Sequence, residues 1–205
     1  MDILQSVALA SGMAWASGLR LYLVLFSAGL LSRLGYLELP PTLQVLQNPW
    51  VLGVTAILLV LEFLADKIPI IDSVWDSVHT FIRIPAGALL AALALGGHDP
   101  ALMVVAGLLG GTLTAGTHAA KAGSRALINT SPEPFSNIAV SLGEDALVTS
   151  GIAVAVFHPL LFLALLVIFI ALLIWLLPKF YRGVRRVFGG IFDRKKASGV
   201  DSRFN

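Results

Sequence analysis

The 205-residue chain is 57% hydrophobic and 13% charged, with a mean hydropathy of +0.87 and a net charge of +2. Soluble domains carry about 25% charged residues, so this composition excludes a water-facing globule of this size and marks a membrane protein. The absence of cysteine excludes a disulfide framework and any cysteine-ligated metal or redox centre.

A spanning helix needs about 20 apolar residues, and six such segments are predicted, at 3–32, 50–67, 82–97, 100–121, 138–157 and 159–178. Met1-Asp2-Ile3 lacks the basic start of a cleaved signal, so the first segment is expected to stay. Within it, "ASGMAWASGLRLYL" sets Arg20 near the middle of the bilayer, where an arginine costs about 2.5–3.5 kcal/mol and calls for a partner or water. Gly12 and Gly18 predict either a helix broken near Arg20, with exposed backbone dipoles, or close approach of a neighbour; the two are compatible.

At the end of the second segment Glu62 and Asp66 share one helical face. From Ile71 to Arg83, one side carries Ile71, Val74, Trp75, Val78 and Ile82, the other Asp72, Asp76, His79 and Arg83 at steps of four, three and four. The pattern predicts an amphipathic helix in the headgroup plane on the cytoplasmic side, its charged face wet, with Pro85 opening the third span. Asp72, Asp76 and His79 have suitable chemistry for zinc or manganese. Ser73 and Asp76 also make a capping box, and that reading is preferred; no metal and no cofactor are expected.

The fourth span carries Gly107, Gly111, Ala115, Ala119 and Gly123 at every fourth position, a stripe that lets helices touch within the bundle or between subunits. Its end presents Thr114, His118, Lys121 and Arg125 on one face. In the fifth span Glu144 and Asp145 lie near Ser141 and Thr149. His158-Pro159 separates the last two spans as a hairpin, with one long kinked helix as the alternative. Three spans followed by three suggest an inverted repeat, though the halves do not align.

Beyond the membrane domain, residues 1–178, a basic tail covers 179–205. Lys179, Arg182, Arg185, Arg186, Arg194, Lys195 and Lys196 are opposed there by Asp193 alone, with Phe180, Val184, Phe188 and Ile191 on one apolar face. This reads as an anchor on anionic lipid headgroups and not as a nucleic-acid site. With both termini cytoplasmic, the inner connections hold Lys67, Arg83, Lys121, Arg125 and the tail, the outer ones Arg33.

Arg20, Lys67, Lys121 and Arg125 match Glu62, Asp66, Glu144 and Asp145 in number, which predicts pairing inside the bundle. A polar path or ion site is therefore expected at Arg20, Glu62, Asp66, His118, Lys121, Arg125, Glu144 and Asp145. No phosphate loop, His-Glu-x-x-His or elbow serine is present, and no nucleophile stands out.

"ASGLRLYL", "EFLADKIPIIDSVWDSVHTFIRIPAGALL" at 62–90 and "AGLLGGTLTAGTHAAKAGSRALINTSPEPFSNIAVSLGED" at 106–145 resemble a family of bacterial integral membrane proteins catalogued as a domain of unknown function. The resemblance runs to about residue 178, implies a bacterial cytoplasmic-membrane location and supplies no activity. The expected protein is an all-α polytopic transporter or channel for an ion or small charged solute, proton-coupled through its acid–base pairs. A helix-packed scaffold or lipid-interacting protein is the alternative, and a metal-dependent membrane enzyme a more remote one. Homo-oligomerisation is expected from the small-residue stripes.

Overall fold

The computed structural model describes residues 2–128 and 134–198, with the surroundings of the side chains from 180 onward, and of a few before, outside that description. The regular structure among the described residues is all helical: α1 (Ile3–Arg33), a 3-10 turn (Pro41–Gln47), α2 (Pro49–Ala65), α3 (Pro69–Ala94), α4 (Pro100–Ile128), α5 (Pro134–Phe157) and α6 (Pro159–Ser198). The protein is an all-α polytopic membrane protein. Among the described residues, five helices are long and apolar enough to cross a membrane, and a sixth if the 3-10 turn and α2, bent by 68°, count as one.

Local chemistry sets the boundaries. Each of α2 to α6 begins at a proline, whose missing N–H and fixed φ suit the first helical position. Asp2 and Gln5 form a reciprocal capping box on α1, and Asn48 accepts a hydrogen bond from the Trp50 amide at 2.9 Å ahead of α2. Gly35, at φ +80°, ends α1, with the Gly35 and Tyr36 amides donating back to the Ser32 and Leu31 carbonyls. His158 interrupts the helix between Phe157 and Pro159, so the fifth and sixth spans are separate helices.

α1 is not one straight pass. Arg20 leaves helical geometry at φ −143°, ψ 77°, and Gln5 and Leu9 line the same small pocket as Tyr36, Leu37 and Glu38. A straight helix of 31 residues would hold its ends about 46 Å apart. The helix therefore folds back at Arg20, and both of its ends lie at one end of the bundle, together with His98, whose Nε2 is 3.1 Å from Ser6 Oγ. This corrects the expectation that the first segment crosses once and that its start faces away from the 33–49 connection.

The hairpin is the core. Its first half runs alongside α4, with the Thr114 hydroxyl donating to the Ala14 carbonyl at 2.7 Å, and packs Trp15 edge-on to Phe162 of α6. Its second half lies against α2 and the 3-10 turn, where a Cβ on Gly29 would meet Leu46 and Leu52. α3 and α4 meet through small residues: Gly107 and Gly111 face Ala88, and Gly110 faces Ala91. Gly107 and Gly111 of the sequence stripe thus lie in this contact, whereas Ala119 is exposed.

The stretch expected in the headgroup plane is the first half of α3, continuous through Pro85. It is amphipathic as read, but the faces are reversed: Asp72, Asp76, His79 and Arg83 are buried, while Val74, Val78 and Phe81 are 61%, 57% and 82% exposed. In a bilayer the apolar side is the solvent-facing side, so a polar stripe seeks the protein interior. The capping expectation fails with it: α3 starts at Pro69 without a side-chain cap, which leaves Ser73 and Asp76 inside the helix.

Contacts divide the chain into Met1–Leu166 and Val167–Asn205. In the second unit Lys179 Nζ sits 3.0 Å from the centre of the Trp175 ring. The basic and apolar side chains of the tail beyond it, and residues 129–133 of "NTSPEPFSN", lie outside the described side chains.

Candidate functional site: a buried ion-pair network

Five helices bring charge to one place. The bend in α1 presents Arg20, which pairs with Asp66, with Asp145 at 2.9 Å and with Glu144 at 3.7 Å, and donates to Ser141 Oγ at 2.8 Å. Because α2 ends at Ala65, Asp66 falls at the tip of the hairpin. α3 contributes Arg83, whose two nitrogens hold Glu62 at 2.6 Å and Asp76 at 2.7 Å. α4 contributes Lys121, 3.2 Å from Asp76, 3.6 Å from Asp66 and 3.9 Å from Glu144. One turn on, Arg125 binds Glu144 at 2.8 Å and stands 3.8 Å from Asp72 and 3.9 Å from Asp66.

The broken helix supplies more than Arg20. Where α1 stops being helical its carbonyls lose their partners, and Lys121 Nζ donates to the Leu19 carbonyl at 3.3 Å. Gly18 makes this approach feasible, since a Cβ there would lie 2.6 Å from the Thr114 carbonyl oxygen and 2.7 Å from Thr117 Cβ.

Two histidines flank the ion pairs. His79 stacks on Trp75 at 4.0 Å; its Nδ1 lies 2.8 Å from the Trp75 carbonyl and its Nε2 3.1 Å from the Tyr22 hydroxyl. A carbonyl only accepts, so Nδ1 carries a proton, while the Tyr22 hydroxyl can donate to or accept from Nε2. His118 Nδ1 lies 3.3 Å from Arg83 Nη1, which only donates, so its proton sits on Nε2, 2.6 Å from Thr80 Oγ1.

All eight residues expected at the site come together here, and Ser141 joins them. Thr149 does not: it is exposed and donates to the Asp145 carbonyl. Lys67 lies apart from the pairs, 3.3 Å over the Phe63 ring, where loss of hydration lowers its pKa and Asp145 acts in the opposite direction. Arg83, Asp72, Asp76 and His79, expected on a wet surface, are buried at this site. Their spacing of four, three and four repeats that of Thr114, His118, Lys121 and Arg125, and two such stripes on neighbouring membrane helices were the available signal.

The metal candidates change as well. His79 is occupied by Trp75 and Tyr22, and Asp66 takes its place: Asp66, Asp72 and Asp76 each offer an oxygen, all within 4.8 Å of one another. Ion pairs join four bases, Arg20, Arg83, Lys121 and Arg125, to six acids, Glu62, Asp66, Asp72, Asp76, Glu144 and Asp145. The equal balance read from sequence, which counted Lys67, thus gives way to an excess of carboxylates over bases within the ion pairs.

The family model described as "Domain of unknown function (DUF4126)" matches residues 7–179. The chain belongs to this family. The matched region contains every residue of the network. No curated protein and no solved structure matches the chain.

Proposed function

We propose that this DUF4126 protein moves a small ion or charged solute across the bacterial cytoplasmic membrane, using the buried network as its site, with protons exchanging on the acids. The observation that carries this reading is the reversal of α1 at Arg20, which opens a helix backbone beside Asp66, Glu144 and Asp145 within the bundle. Transporters commonly place half-helix ends and intramembrane charges at their substrate sites, because dipoles and paired side chains can exchange a protein partner for a solute. Asp145, with a side chain 24% exposed, is the network's most accessible member and its natural entry.

The test is flux in proteoliposomes. The double variant Glu144→Gln, Asp145→Asn is expected to lose most of the proton or cation flux of the wild type while still eluting as a folded particle. Flux equal to that of the wild type overturns the reading.

One observation favours a second reading, a structural frame. Arg20, Arg83, Lys121 and Arg125 are all paired with acids and at most 3% exposed, as expected of ion pairs that fix helix register. In that case wild-type liposomes match empty ones, and the double variant loses only stability. The basic tail would serve either protein as a lipid anchor, and self-association through small-residue faces would suit both.

A further inference from the structure

We infer that Asp66, Asp72 and Asp76 form a binding site for a hard divalent cation, with Lys121 as the internal cation that the ion displaces. This deepens the proposed transport function and rests on it for its role, though not for its chemistry.

Asp72 points to the ligand. It has no exposed surface, yet neither of its carboxylate oxygens accepts a hydrogen bond. Its nearest cation is Arg125 Nη1 at 3.8 Å, on a guanidinium already held by Glu144 at 2.8 Å. A buried carboxylate in this condition carries a desolvation cost that a bound cation offsets. Three oxygens within 4.8 Å of one another can close on one ion at the roughly 2.3–2.6 Å of calcium coordination, and by a small contraction at the shorter distances of magnesium.

The charge of the site agrees in sign. The ion pairs join six acids to four bases, and with Lys67 beside them, within electrostatic reach of Asp145, acids still outnumber bases, which favours a cation. The donors are all oxygen, which selects magnesium, calcium or manganese over softer metals. Lys121 Nζ already stands between two of the three carboxylates, 3.2 Å from Asp76 and 3.6 Å from Asp66. An arriving ion would repel it toward Glu144, now 3.9 Å away, and its departure would let the lysine return. That exchange is a reversible way to load and release an ion without leaving bare charge in the membrane.

Manganese is the probe, since its electron paramagnetic resonance signal falls on binding. Purified wild-type protein in detergent is expected to bind one Mn2+ ion per chain and to release it to excess Ca2+ or Mg2+. Asp72→Asn should weaken binding by about 10- to 100-fold or more, because even groups that only support metal ligands cost that much when lost. Lys121→Met should tighten it by removing the competitor. Wild-type protein that binds no Mn2+ at millimolar concentrations, or that binds it equally well with Asp72→Asn, overturns the inference. Flux without Mn2+ binding sinks this site and leaves transport standing; binding without flux does the reverse.

Discussion

Arg83 shows what one residue does here. Its guanidinium is fully buried between Glu62 and Asp76, so Arg83→Met would leave two carboxylates in a low-dielectric interior with their shared partner gone. Breaking a buried pair in this way costs about 3–5 kcal/mol, and thermal unfolding in detergent should register a correspondingly large fall. Phe81, two positions earlier and 82% exposed, should tolerate alanine with about 0.5 kcal/mol or less, as exposed positions do. If the two variants unfold alike, the assignment of faces on α3 is wrong. Sequence spacing identified both faces of this helix; what it lacked was the solvent each face meets.

At the scale of the element, α1 and its contact with α4 decide the site. Gly18 lets the two helices approach until Lys121 reaches the Leu19 carbonyl. Gly18→Val is expected to push α4 away, costing about 1–3 kcal/mol as overpacking does, and to weaken Mn2+ binding without touching a carboxylate. Unchanged stability in a denaturant titration would show that the contact is looser than described. The break at Arg20 was legible in part, because two glycines and an arginine inside an apolar run are poor material for a spanning helix. The extent of the bend was not legible. A kink of any angle satisfies the same sequence, and packing against α2, α3, α4 and α5 selects the full reversal.

For the whole molecule, the hairpin changes the topology. The start of α1 and the turn at Tyr36–Glu38 share one end of the bundle, while Asp66 and Lys67 lie at the hairpin's tip. Because the chain contains no cysteine, single cysteines report this directly. Gln5→Cys, Glu38→Cys and Asp99→Cys should all react with a membrane-impermeant maleimide from the same side, and Lys67→Cys only from the other. Labelling of Gln5→Cys from the side opposite Glu38→Cys would restore a single crossing by α1. The charge asymmetry used for orientation is also thinner than it looked: Arg83, Lys121 and Arg125 are consumed in ion pairs, and only connecting-loop charges orient a membrane protein.

By itself the sequence determined the membrane environment, the all-helical class, the positions of most helices and the convergence of Arg20, Glu62, Asp66, Lys121, Arg125, Glu144 and Asp145. Each of these follows from apolar length and from the cost of unpaired charge in hydrocarbon. Only the tertiary structure decided that α1 turns back, that the polar face of α3 points inward, and that Asp66 rather than His79 stands beside Asp72 and Asp76. Those outcomes depend on which surfaces meet, and helical periodicity records only which residues share a face.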